Sequence, residues 1–346
     1  MRGQAPCGTI AVVNELNVIQ QTARRILAAN PCPVARVRLL RDVLGRPPDA
    51  PEVSEAQRGL DKSRSVQELQ REQREDGGWG AFHSRSTRVK QMTASTEVGV
   101  ERGLALGLDA THPILTKASR YIVAIMEGKI PFPDYHEKND RWPTGMRLFL
   151  ASTLSLMRPG DPLLDGDRQL WVEIARRVFR SGAYCEEDEI QAHAELTGAT
   201  VKDSYLVLRS RYQLNILGSV PGLLSEELEA ALLAWLWQRP DGIGYLSVPL
   251  RPVPPDPKPG PFDRWLTSLE LLARLFPAWI RFAAPAVEWM WEQRRPDGLW
   301  DFGPRGTTST VLPLSDSWRQ GETRRVDWTA RVLALLRQYH AGVSRA

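Results

Sequence analysis

At 346 residues, 42% of them hydrophobic and 25% charged, the chain has ordinary globular proportions and enough apolar material for a substantial core, which excludes a disordered or fibrous class. Its 45 basic and 41 acidic residues leave a formal charge of +4 and are mixed along the sequence without a basic block, so nucleic acid is not an expected partner. The three cysteines, Cys7, Cys32 and Cys185, are far apart and lack a CxxC spacing, which argues against a disulfide framework or a thiolate zinc site and fits a reducing cytoplasm.

The N-terminal MRGQAPCGTIAVVNELNVIQQ holds only a four-residue apolar run, too short for a signal-peptide core. No later apolar stretch reaches the roughly 18 residues needed to span a bilayer. The expectation is a cytoplasmic protein whose contact with a membrane is peripheral at most.

Apolar residues recur at helical spacing in segment after segment, and period-2 runs of β-branched residues are nearly absent, so an all-α chain is expected. In chain order the periodicity predicts helices near 16–29, 33–45, 62–73, 92–107, 112–127, 141–157, 166–181, 203–218, 224–238, 264–276, 279–293 and 326–340. Gly107 and Gly218 stand where a helix needs a left-handed C-terminal residue, and Pro113, Pro162 and Pro221 stand where one opens. The proline-bearing stretches 47–57 and 248–261 are not expected to continue a helix. Neither separates compositionally different halves, so 1–346 reads as one domain.

Two repeats organise the chain. REQREDGGWGAF (71–82), LWQRPDGIGYL (236–246) and WEQRRPDGLWDF (291–302) each end a helix with Gln or Arg, turn at Asp-Gly and then present an aromatic. The tryptophan beyond the turn is expected to fold back onto the preceding hairpin. The second repeat, DRWPTG from Asp140, DRWLTS from Asp263 and VDWTAR from Val326, opens alternate helices, with Asp140, Asp263 and Asp327 in the place of N-caps; segments from Ser95 and Asp203 begin similarly.

The turns Gln73-Asp76-Gly77-Trp79 and Gln293-Asp297-Gly298-Trp300 resemble the QW repeats of squalene and oxidosqualene cyclases, which are related to repeats in protein prenyltransferase β subunits. The turn at Asp241-Gly242-Ile243 is a degenerate copy. The resemblance covers roughly 16–340 and implies an α/α toroid of about six hairpins around an apolar cavity, with 16–29 packing beside 326–340 to close the ring. It further implies that the inner helices begin at one end of that ring, where Arg88, Lys90, Arg141, Lys202, Arg264 and Arg325 would meet an anionic head group.

The departures from the family are specific. Neither the DxDD acid motif of class II cyclases nor a class I DDxxD occurs, and the last inner helix, VDWTARVLALL, lacks the zinc-binding histidine of the prenyltransferases. No metal is expected; a diphosphate substrate would bring Mg2+ with it, and otherwise no cofactor is called for.

Three constellations could carry chemistry. Asp134, His136, Glu137 and Asp140 crowd the stretch before 141, where a carboxylate beside an imidazole suits general acid–base work; the plainer reading is a solvated loop with an N-cap. Glu186, Glu187, Asp188, Glu189 and His193 form an acidic run whose crowded carboxylates could raise one another's pKa or gather a divalent cation; the plainer reading is a solvated surface. Trp79, Phe82, His83 and Lys90 precede Glu97, a candidate buried acid or merely a partner for the helix dipole. With Arg141, Trp142, Tyr205, Trp265 and Trp328 these residues would line a cavity mouth, the tryptophans either stabilising a cation or packing hairpins together.

The expected activity is therefore that of a terpene cyclase-like enzyme acting on an isoprenoid or similar apolar chain through carbocation chemistry. A carbohydrate-active α/α toroid, with two carboxylates flanking a glycosidic bond, and a non-catalytic lipid-binding or scaffold toroid are the alternatives.

Overall fold

A computed structural model describes residues 7–83, 93–201, 205–251, 259–304 and 310–345. The expected Lys90, with Arg88, Lys202 and Asp203, lies outside them.

The chain is all-helical. Its α-helices are α1 (Cys7–Ala28), α2 (Pro33–Arg38), α3 (Pro51–Leu60), α4 (Arg64–Glu72), α5 (Thr96–Ala105), α6 (Pro113–Met126), α7 (Trp142–Met157), α8 (Asp165–Val178), α9 (Glu186–Thr197), α10 (Arg211–Leu217), α11 (Glu226–Gln238), α12 (Pro259–Leu275), α13 (Ile280–Glu292) and α14 (Gly321–Val343). Extended pairing among the described residues is confined to two isolated parallel bridges, Ala81 with Ser95 and Ser210 with Gly244. No helix among the described residues is long and apolar enough to cross a membrane.

The chain divides into two compact units, the first built from 1–67, 253–263 and 279–346 and the second from 68–252 and 264–278. In the first unit α14 is the central element. Its buried run from Asp327 to Leu336 meets α1, α2 and α13, so the predicted pairing of 16–29 with 326–340 is present. In the second unit α7 takes that place, buried along most of its length and packed against α6 and α10, while α8 packs against α9.

Local chemistry explains the helix ends. Ser95, Ser210 and Ser225 each accept a backbone N–H in the first turn of α5, α10 and α11. Pro113 opens α6, and Gly107 follows α5 at φ +89°, both as the sequence suggests.

Several expectations fail for identifiable reasons. Pro51, in the stretch predicted not to be helical, is the first residue of α3, the position where a missing N–H costs nothing. The acidic run 186–189 is the first turn of α9, where the helix dipole favours carboxylates, and Asp188, Glu189 and His193 are buried rather than solvated. Pro221 lies ahead of α11, whose cap is Ser225. Gly218 has φ −100°; what it supplies is closeness, because a Cβ there would lie 2.5 Å from that of Leu275.

The three aspartates are not N-caps. Asp140 accepts from the backbone N and hydroxyl of Thr200 at 2.9 and 2.6 Å. Asp263 lies inside α12 and pairs with the buried Arg331. Asp327 lies inside α14 and accepts from the backbone N–H groups of Leu314 and Ser315, both at 2.9 Å, fastening the segment ahead of that helix.

Candidate functional site

The site is built by two of the Asp-Gly turns, both in the second unit. Gly77 and Gly242 take φ of +98° and +63°, a conformation open to glycine at little cost. After each turn the chain lies as a short strap along the start of the next helix, Ala81 bridging to Ser95 before α5 and Gly244 to Ser210 before α10. Two residues past each capping serine comes a functional side chain, Glu97 from α5 and Tyr212 from α10.

The first strap is held at both ends. Trp79 is fully buried, its indole N–H donating to the Leu69 carbonyl at 2.9 Å while its backbone N–H donates to Thr96 Oγ1 at 3.0 Å. Gly99 on α5 makes room for the indole, since a Cβ there would lie 2.4 Å from the ring. At the other end the Asp134 carboxylate accepts from the backbone N–H groups of Phe82 and His83 at 2.5 and 2.9 Å. Asp134 thus anchors the segment that carries His83.

At the centre, His83 Nδ1 lies 2.8 Å from Glu97 Oε2 and the Tyr212 hydroxyl donates to Glu97 Oε1. Arg211 donates to Glu97 Oε1 at 2.9 Å and also to Glu101, one helical turn further along α5. Burial pushes the Glu97 carboxyl up, but the bond to His83, the Arg211 charge and the Tyr212 bond outweigh it, and the group is held below the ordinary carboxylate range. Burial and the Glu97 charge push the Tyr212 phenol well above its ordinary value.

An ionised carboxylate only accepts, so His83 Nδ1 carries the proton that faces Glu97, and in the neutral imidazole Nε2 is the nitrogen with a lone pair. The imidazole stacks on Phe149, centroids 3.8 Å apart and planes 8° from parallel. Tyr212 and Tyr245 present their rings edge-on to it at 5.5 and 5.6 Å. Tyr245 is 45% exposed and has φ +70°, a strained backbone for a bulky residue.

Some buried polar atoms, on α10 and beside it, have no hydrogen-bond partner. Among the described residues the Tyr205 hydroxyl, Arg211 Nε, Gln213 Oε1 and Arg141 Nε are buried and make no hydrogen bond. Tyr205 packs against Phe149 at 5.5 Å and its phenol is pushed up by burial, then by the charge of Glu137. Such orphans are uncommon in native proteins and call for an explanation.

Of the residues expected from sequence, the structure thus brings together Phe82, His83, Glu97, Asp134 and Tyr205. His136 and Glu137 are on the exposed stretch before α7, His136 edge-on to Trp142 at 5.8 Å and Glu137 accepting from Asn139 at 2.9 Å. Trp142 is buried against Phe132, and the Trp265 indole donates to the Leu250 carbonyl at 3.3 Å. Trp328 belongs to the first unit, where it packs with Phe262 and Phe302. No three His, Cys, Asp or Glu side chains gather as metal ligands among the described residues.

Sequence reasoning missed Arg211, Tyr212, Glu101, Phe149 and Tyr245. Glu101 was within reach, since i and i+4 share a helix face. Arg211 and Tyr212 were hidden inside a predicted helix at 203–218, whereas α10 begins at Arg211 and puts both in its first turn. No protein-family model, curated protein or solved structure matches the chain.

Proposed function

We propose that the second unit carries an acid–base active site in which His83 Nε2 takes a proton from a bound substrate and returns it, while Glu97 and Tyr212 fix the imidazole. The observation that supports this is the His83–Glu97 dyad: a buried carboxylate engaged by three partners, one of them an imidazole whose second nitrogen is left for a substrate. Glu101 shares Arg211 with Glu97 and so limits how far that guanidinium can draw charge away from the dyad.

The carbohydrate-active reading is the one we adopt, since a general base with the exposed Tyr245 ring beside it suits a polar, ring-shaped substrate. Phe149, Tyr205 and Tyr245 supply faces and edges on which a sugar ring packs.

The isoprenoid reading keeps one support, the cluster of aromatic rings around His83, which would stabilise a cationic intermediate. It needs a proton donor other than Glu97, because a carboxyl held below its ordinary range is a carboxylate near neutral pH.

The test is a panel of neutral and charged mono- and oligosaccharides incubated with the full chain and with His83→Gln, products being separated by mass. The expected result is turnover of a carbohydrate by the parent protein and loss of at least about 100-fold in the variant. An isoprenoid extracted in near-stoichiometric amount from the purified protein, with no carbohydrate turned over, would overturn the reading in favour of the cyclase one.

A further inference from the structure

The first unit holds a cavity of about 660 Å³, within the range that encloses a small molecule. It is lined by the third Asp-Gly turn, at Asp297 and Leu299, by the last turn of α1 with the residues after it, by the segment ahead of α14 and by the start of that helix. Its buried polar lining is already satisfied. The Ser315 hydroxyl donates to the buried Asp327 carboxylate, so its oxygen, 2.9 Å from Cys32 Sγ, accepts the thiol proton. The Ser317 and Thr323 hydroxyls bond to each other at 3.2 Å. Ile26, Ala29, Leu299 and Val326 add apolar surface.

The exposed groups that line the same cavity are not balanced in this way. Asp297 is engaged twice, by Arg325 at 2.7 Å and by Arg295 at 3.7 Å. Arg25 brings a further guanidinium to the turn: its Nη2 donates to the Asp297 carbonyl at 2.7 Å, and it makes no ion pair among the described residues. Arg294 comes to the same point, since a Cβ at Gly298 would lie 2.9 Å from Arg294 Nη2 and 3.2 Å from Arg25 Nη2. Four guanidiniums thus gather at a turn that carries one carboxylate, and Arg25 keeps unused N–H donors at the cavity. Glu322, in the first turn of α14, lines the cavity too, and its carboxylate has no partner among the described residues. The planar donor fork of Arg25 matches a carboxylate and Glu322 matches an ammonium group, each bond being charge-assisted.

We infer that this cavity binds an apolar amino acid or a short apolar peptide, the two sharing one pair of end charges, with the ligand's carboxylate on Arg25 and its ammonium on Glu322. The cavity residues all belong to the first unit and the acid–base residues to the second, so the two assignments stand or fall separately.

The experiment is calorimetry on the full chain with leucine and leucyl-leucine as probes, each also as its C-terminal amide and as its N-acetyl derivative. Expected is binding of at least one of the two zwitterions, the tighter one showing which length spans the site, with both of its capped derivatives at least about tenfold weaker. Arg25→Gln should bring the free acid down to the affinity of its amide and keep the penalty of acetylation; Glu322→Gln should do the reverse. Both side chains are exposed, so neither exchange threatens the fold. Ala29→Trp, which sets an indole into the cavity, should weaken every probe, and His83→Gln should bind as the parent does. The inference is overturned if neither zwitterion binds, if either capped derivative binds as tightly as the free compound, if the penalties survive the two charge exchanges, or if binding is undiminished in Ala29→Trp.

Discussion

Two turns of this protein are pinned in the same way and do different things. In both, a tryptophan donates its indole N–H to the carbonyl ten residues earlier, Trp79 to Leu69 and Trp300 to Met290. In both, its backbone N–H donates to a buried threonine, Trp79 to Thr96 at 3.0 Å and Trp300 to Thr329 at 2.9 Å. Aligning the two threonines sets Glu97 against Ala330 and Glu101 against Ala334, and aligning the tryptophans sets His83 against Pro304. Where the second unit holds the His83–Glu97 dyad, the first holds small apolar residues and, at the turn itself, an Asp301–Arg324 ion pair at 2.8 Å. The repeat is therefore a scaffold, and the chemistry is an addition to one copy of it.

The comparison is tested hardest at the tryptophans. Trp79→Ala and Trp300→Ala should each cost about 3 to 5 kcal/mol, because each empties a fully buried site and orphans a carbonyl. Chemical denaturation followed by circular dichroism checks this. Losses differing by more than about 2 kcal/mol would mean that the two turns are not one packing solution.

Removing the addition should cost less, and only where it exists. Glu97→Gln leaves Arg211, His83 and Tyr212 without their shared charge and should lose about 3 kcal/mol together with any turnover. The reverse change, Ala330→Glu, places a carboxylate in a fully buried site and should destabilise by a similar amount. Stability unaffected by Glu97→Gln would make the carboxylate a bystander in the fold.

How much of this was legible in the sequence follows from the same contrast. The Asp-Gly turns and their tryptophans are local patterns, fixed by positive φ and by one large apolar side chain, and they were readable from residues 76–79 and 297–300 alone. The meeting of Glu97 with Tyr212, 115 residues apart, has no local signature. It became visible only when α10 was seen to start at Arg211 and not eight residues earlier. The aspartates were misread because a carboxylate near a helix start suits an N-cap equally well in sequence, whereas Asp263 and Asp327 are consumed by partners 68 and about a dozen residues away.

Acid should affect both units through buried imidazoles, one in each. His193, fully buried with neither ring nitrogen bonded, and His340, whose Nε2 accepts from the Trp291 indole at 3.3 Å, are both held neutral by desolvation, with pKa brought down to about 4. Since the unfolded chain takes up these protons near pH 6.5 and the folded chain only near 4, stability falls as pH drops through that window, by up to about 3 kcal/mol for His193. Glu97 acts later: its depressed pKa preserves its contribution above the ordinary carboxylate range and loses it only as pH falls through the folded value. Denaturant midpoints measured between pH 7 and 4.5 should therefore drop in the parent and drop less in His193→Phe. An identical slope in the two proteins would mean that His193 is protonated in the fold.

The smallest change separates scaffold from site most cleanly. Thr96 and Thr329 are both fully buried, and each hydroxyl oxygen accepts the N–H of its tryptophan and lies 3.4 Å from that residue's carbonyl oxygen. Thr→Val keeps the shape of either side chain and leaves one buried N–H unpaired, so each variant should lose about 1 to 2 kcal/mol. The losses should match because the pins match. Their consequences should not. Thr96 precedes Glu97 and its backbone N–H donates to the Ala81 carbonyl, so freeing Trp79 loosens the strap that brings His83 to the carboxylate. Thr329 precedes Ala330, with no titrating group in register. The His83 imidazole resonances, followed by NMR through a pH titration, should therefore shift in Thr96→Val and remain as in the parent in Thr329→Val. Equal stability losses with an unshifted His83 in both would mean that the Asp134 anchor alone sets the dyad, and that the tryptophan pin serves only the fold.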